Sequence, residues 1–167
     1  CVKLNKPFNE ISGWFLMAHK FWKRAEPLSY LANYCLSQNE FQLGLMFINE
    51  ACSTGYPVNA NQPIDQNIYM YQRYLVKAIL CCRLDLLDDA YFAICQAHDN
   101  VPDNEQVTGI YEAIDRKVKA REEEQRQLES KLESSKKSIK IGSISNDKKD
   151  EWIEQWKKAF IKNAGGN

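Results

Sequence analysis

The sequence has little glycine and proline and no long apolar run. Only 7 glycines and 5 prolines occur among 167 residues, so few positions interrupt helix formation. No apolar run approaches the roughly 20 residues of a membrane-spanning helix, which predicts a chain without a membrane span. The 22 basic and 22 acidic residues cancel, and this balance argues against nucleic acid as a partner.

The 6 cysteines lack the spacing of a metal site or of a disulfide framework. They include no C-x-x-C pair, and the two histidines, His19 and His98, are far apart in the sequence. Small proteins held together by disulfides are usually shorter and richer in cysteine. We therefore expect reduced thiols that pack as small core side chains in a cytoplasmic protein, with no metal ion and no cofactor.

No motif of a catalytic site is present. The chain lacks the phosphate-binding loops G-x-x-x-x-G-K and G-x-G-x-x-G, the nucleophile elbow G-x-S-x-G and the zinc motif H-E-x-x-H. Cys95 and His98 lie on the same predicted helix, and Cys95 is adjacent to the core position Ile94, which argues against a Cys–His pair. The sequence thus predicts no catalytic residue and no enzyme activity in this chain.

Apolar residues recur at helical spacing between the prolines. The spacing predicts five helices, at about 10–24, 28–37, 40–54, 66–83 and 86–98. Residues 55–65 contain two prolines and a glycine and are predicted to form a loop. Asp85 is a candidate N-cap of the last of these helices.

After Pro102 the sequence becomes rich in Glu, Lys, Arg and Gln, all of which favour helix. A stripe of Val107, Ile110, Ile114 and Val118 predicts that the first part of this helix packs on the core. Beyond Val118 the sequence predicts a helix exposed to solvent rather than a coiled coil, because too few heptads are present. These changes predict a helical-repeat domain at 1–118, a charged helical extension at 119–135, a linker at 136–147 and an amphipathic terminal helix at 148–163.

Two segments share an apolar pattern at a constant offset of 46 residues. The first contains Leu28, Leu31, Ala32, Cys35, Gly44, Ile48 and Ala51, and the second contains Tyr74, Lys77, Ala78, Cys81, Ala90, Ile94 and Ala97. Small side chains let antiparallel helices approach closely, and larger ones fill the groove between them. This pattern resembles the tetratricopeptide repeat, with Lys77 as a departure because a large apolar residue is usual there.

The resemblance implies an all-α fold of stacked antiparallel helix hairpins, an α-solenoid. Such stacks generally bind another protein or a neighbouring domain on an extended surface. Candidate interaction residues are Tyr69, Tyr71 and Arg73 in the second hairpin, together with Trp152 and Trp156, whose indoles are poorly suited to full exposure. The oligomeric state stays open.

Residues 25–103 also resemble the helical-repeat tails of some glycosyltransferase polypeptides. In those tails a hairpin that ends near a proline is followed by a loop and by a helix opening with an acid and several tyrosines. Here the corresponding residues include Tyr56, Pro57, Asp65 and Tyr69. The resemblance implies the non-catalytic tail of a larger enzyme, and a start at Cys1 rather than Met agrees with a fragment. The D-x-D motif typical of the catalytic domain is absent, so no catalytic residue is carried over.

Overall fold

The computed structural model describes residues 8–58, 63–141, 151 and 153–155. Within these ranges every regular element is helical, as predicted, and no strand occurs. The elements are α1 (Phe8–Trp22), α2 (Glu26–Ser37), α3 (Phe41–Ser53), a π-helical turn (Ile68–Gln72), α4 (Arg73–Arg83), α5 (Leu87–Asn100) and α6 (Glu105–Ile141). Among the helices described, none combines the length and the apolar character needed to cross a bilayer.

The helices pack as consecutive neighbours. Helix α2 contacts α3 along its length, α4 contacts α5 in the same way, and α3 and α4 join the two pairs. Each pair is connected by a turn of three residues, so its two helices form an antiparallel hairpin. Helix α1 packs against α2. The two predicted hairpins are therefore present, at the predicted places in the chain.

The recurring small residues lie at helix contacts. Ala32, Ala78 and Ala90 are completely buried. A Cβ atom added to Gly44 would lie 3.0 Å from Leu80 Cδ2 and 3.2 Å from Cys35 Cβ. Because those atoms belong to α4 and α2, a larger side chain at this position of α3 would be in tight contact with both neighbouring helices. The predicted role of these positions in close helix packing is confirmed.

Two clusters of buried side chains form the core. The first joins α1, α2 and α3 to the π-helical turn, and its largest fully buried members include Leu28, Leu31, Ile48 and Ile68. The second joins α4, α5 and the start of α6, and it contains Ile94, Val107 and Ile114. The described cysteines are free thiols, and Cys35 and Cys81 are buried, one in each cluster.

Helix α6 is longer than the sequence predicted. The contacts divide the chain into two units between Arg121 and Glu122, close to the predicted boundary at 118. The helix continues to Ile141, so the prediction of a linker at 136–147 is corrected for residues 136–141. Those residues contain no glycine or proline, and Gly142 is the first helix-breaking residue after Pro102 and Gly109. The remainder of the linker and most of the predicted terminal helix lie outside the described residues.

Candidate interaction surface

Tyr69 belongs to a buried hydrogen-bond network at the start of α2. Its hydroxyl donates to Glu26 Oε2 at 2.6 Å and accepts the Ala25 N–H at 3.0 Å. Arg24 Nε donates to both carboxylate oxygens of Glu26, at 3.1 and 3.2 Å, and Arg24 Nη2 donates to the Pro63 carbonyl at 2.6 Å. The network therefore fastens the loop before the π-helical turn to the first hairpin.

Two ionisable groups of this network have shifted pKa values. Burial raises the pKa of Glu26, but hydrogen bonds from Arg24 and Tyr69 outweigh it, so the net pKa lies below the ordinary value. Burial and the hydrogen bond to Glu26 raise the pKa of Tyr69 to about 12. At neutral pH the pair is therefore a phenol that donates to a carboxylate, which is a strong, charge-assisted arrangement.

Arg73 closes the C-terminal end of α3. Its Nη1 donates to the carbonyls of Ala51 at 3.1 Å and Thr54 at 2.7 Å at the end of the helix, where Ala51 also accepts the Thr54 N–H at 3.3 Å. The guanidinium also lies over the rings of Tyr69 and Tyr74, at 5.3 and 4.8 Å from their centroids. Arg73 thus connects the second hairpin to the first through the backbone carbonyls at the end of α3, and its guanidinium is held between two neighbouring aromatic rings.

The candidate interaction residues named from the sequence lie mostly inside the described fold. Tyr69 and Arg73 are buried, and Tyr71 is half-buried against the second core cluster, so their role in binding stays a prediction. Trp152 and Trp156 lie outside the described residues. The sequence analysis missed Glu26, because its partner Tyr69 is 43 residues away and no local pattern connects them.

An exposed apolar surface lies instead on α1. Trp14 is 65% exposed, Met17 58% and Phe21 70%, and the three follow one another at spacings of three and four residues on one side of the helix. We call these three residues the α1 apolar face; the exposed Trp22 lies at its C-terminal end. The sequence analysis predicted a helix here and did not separate its two sides.

The other side of α1 packs on the first hairpin. Ile11 is buried, the Phe8 ring stacks on Tyr34 at 5.5 Å between centroids, and the Phe15 ring is tilted against Tyr30 at 6.0 Å. Helix α1 is therefore apolar on both sides, but only one side has a partner in the described part of the chain.

The last helix of the same unit has the opposite character. Helix α6 buries Val107 and Ile114 and presents charged residues to water, including Lys119, which pairs with Asp115 at 2.6 Å. Arg121 forms an ion pair with Asp88 at the start of α5. The described outer side of α6 up to Arg121 is therefore polar, whereas the exposed side of α1 is apolar.

The described thiols lie in surroundings that disfavour the reactive thiolate. Burial raises the pKa of Cys35, which lines a cleft of about 380 Å³ between the start of α1 and the α2–α3 turn. Burial likewise raises the pKa of Cys95, and the nearby His98 ring stacks on Tyr111 at 4.7 Å. Among the described residues no three His, Cys, Asp or Glu side chains are grouped as ligands for a metal ion.

Comparison of the chain with protein-family models, with curated proteins and with solved structures found no match. The resemblances to tetratricopeptide repeats and to glycosyltransferase tails therefore stay predictions. What the chain binds must be inferred from the geometry of its own surface, on which the α1 apolar face groups three large exposed apolar side chains.

Proposed function

We propose that this chain is a non-catalytic helical-repeat module, of the tetratricopeptide type, that binds a protein surface through the α1 apolar face. The observation that carries the proposal is the exposure of Trp14, Met17 and Phe21 on one side of a helix whose other side is already packed. The paired hairpins and their buried small residues support the repeat architecture.

The exposed side chains are of the kind that supplies binding energy. Trp is enriched among the residues that dominate protein–protein binding, and large rigid rings bury much area with little loss of side-chain entropy. Burial of each ring contributes roughly 2–3 kcal/mol at about 25 cal/mol per Å². The two rings, with Met17 between them, offset a substantial share of the cost of association.

The contrast between the two ends of the stack favours an interface. Terminal helices of repeat proteins normally have a polar outer face, because an apolar end would be exposed to water. Helix α6 follows that rule and α1 does not. An unpartnered apolar end is the expected property of a stack whose contact with another protein completes it.

Site-specific photocrosslinking tests this function. A photoreactive amino acid in place of Phe21 should capture the partner, whereas one in place of Phe92, which is 63% exposed on α5, should not. The partner is then purified and its affinity measured by titration calorimetry. We expect F21E to weaken binding at least about tenfold and F92E to leave it unchanged. Equal binding by the two variants would refute the role of α1.

A further inference from the structure

We infer that the α1 apolar face binds the same face of a second copy of this chain, with the two α1 helices antiparallel. The inference rests on the proposed function and names its partner. Trp14, Met17 and Phe21 repeat the spacing of the contact positions in paired helices, and no charged residue interrupts them between Trp14 and Phe21 on that side.

The face is self-complementary under a twofold axis. An axis that passes close to Met17 places Trp14 of one copy against Phe21 of the other, and the reverse contact follows by symmetry. Each Trp14 ring then contacts the Phe21 ring of the other copy, and the two thinner Met17 side chains meet at the centre of the interface. Antiparallel helices also place opposite ends of their macrodipoles side by side.

The charges permit this contact. The 22 basic and 22 acidic residues give a net charge of zero, so two copies do not repel each other at long range. Lys20 and Lys23 are exposed near the C-terminal end of α1. In a parallel pair these lysines would lie next to their counterparts, whereas in an antiparallel pair they lie at opposite ends. The charges therefore favour the antiparallel arrangement.

The exposed area fits a reversible dimer. An aromatic side chain buries roughly 150–250 Å² when it leaves water completely. With the observed exposures, the α1 apolar face presents on the order of 400 Å² per copy, or about 800 Å² for two copies. This total is smaller than a standard interface and suits a weak, transient contact, so we expect a dimer that dissociates at high micromolar concentration.

Sedimentation velocity over the micromolar concentration range tests the dimer. The chain should sediment as a monomer when dilute and as a dimer when concentrated. M17E should weaken association at least about tenfold, whereas F92E, which alters an equally exposed apolar side chain, should behave like the unaltered chain. A monomer at every concentration, or association that M17E leaves unchanged, would overturn the inference.

A charge exchange tests the antiparallel pairing. W14E and F21K should each weaken the dimer, and the double variant W14E/F21K should recover a tenfold or larger part of the loss, because each new Glu faces a new Lys of the other copy. A double variant as weak as the single ones would contradict the pairing. If the chain is a monomer but a photocrosslinked partner still requires Phe21, the proposed function stands and only the dimer is refuted.

Discussion

Asn39 and Asp85 adopt the same left-handed backbone conformation at equivalent positions of the two hairpins. Their φ angles are 62° and 60°. The residue after each of them donates its N–H five residues back along the chain, from Glu40 to the Cys35 carbonyl and from Leu86 to the Cys81 carbonyl, both at 2.9 Å. This is the hydrogen-bond pattern that ends a helix when the residue after it is left-handed. Asp85 therefore ends α4, which corrects its prediction as the N-cap of α5.

We predict that D85G stabilises the protein. The left-handed conformation is unfavourable for a residue with a Cβ atom, whereas glycine adopts it freely. The expected gain in the free energy of unfolding is about 0.5–1 kcal/mol, measured by urea denaturation. D89G is the control, because Asp89 lies in the first turn of α5, where glycine lowers helix propensity and removes a favourable charge. D89G should lower the free energy of unfolding. A higher free energy of unfolding in both variants would contradict the assignment of Asp85 to the end of α4.

We predict that G44A destabilises the protein by about 1 kcal/mol, although alanine favours helix more than glycine does. The added methyl group would press on the Leu80 side chain and on Cys35 Cβ, both of which are buried, so relieving the contact requires a shift within the core. G109A is the matched control, because nothing lies within 4 Å of a Cβ atom there. It should stabilise by about 0.5–1 kcal/mol. Thermal unfolding of both variants provides the comparison.

We predict that R73M destabilises the protein by about 2–3 kcal/mol. The substitution keeps the apolar stem but removes the side-chain donor to the Ala51 and Thr54 carbonyls and removes a cation from two aromatic rings. R83M is the control, since Arg83 is exposed and its guanidinium lies 5.9 Å from the Phe41 ring. R83M should lower the free energy of unfolding by less than about 1 kcal/mol. If chemical denaturation gave the same loss of unfolding free energy for R73M and R83M, Arg73 would not cap α3.

We predict a pH-dependent contribution of Glu26 to stability. Its pKa is lowered in the folded state from an ordinary value of 4.5, so the contribution is complete above that pH and declines as the pH falls through the lower, folded-state pKa. E26Q should therefore be less stable than the unaltered chain at pH 7, and the difference should shrink on acidification. Unfolding curves between neutral and acidic pH measure this. E112Q, at an exposed position of α6, should have the same stability as the unaltered chain at every pH in this range.

Much of the helical framework was predictable because its determinants are local. Helices α2, α3 and α5 begin and end within a few residues of the predicted positions, since apolar spacing and the prolines act over a few residues. The predicted helix at 66–83 contains a π-helical turn at Ile68–Gln72 that no local pattern indicated. The positions of the small residues were predicted because close helix packing restricts side-chain size wherever the hairpin pattern recurs.

The surroundings of the candidate interaction residues were less predictable than the helices. The sequence named Tyr69 and Arg73 as candidates but did not indicate that both are buried. Their burial depends on partners distant in sequence, Glu26 for Tyr69 and the end of α3 for Arg73. A polar side chain is buried only where such partners satisfy its hydrogen bonds, and the identity of those partners is a property of the assembled fold.

The amino-acid sequence by itself determined the helical class, the two hairpins and the absence of any long apolar span, because these follow from residue spacing and propensity. Only the tertiary structure decided which side of α1 has a partner. Ile11 and Phe21 are both apolar residues of one helix, but Ile11 is covered by the first hairpin and Phe21 is open to water. The spacing of apolar residues defines the sides of a helix, whereas neighbouring helices determine which side is left exposed.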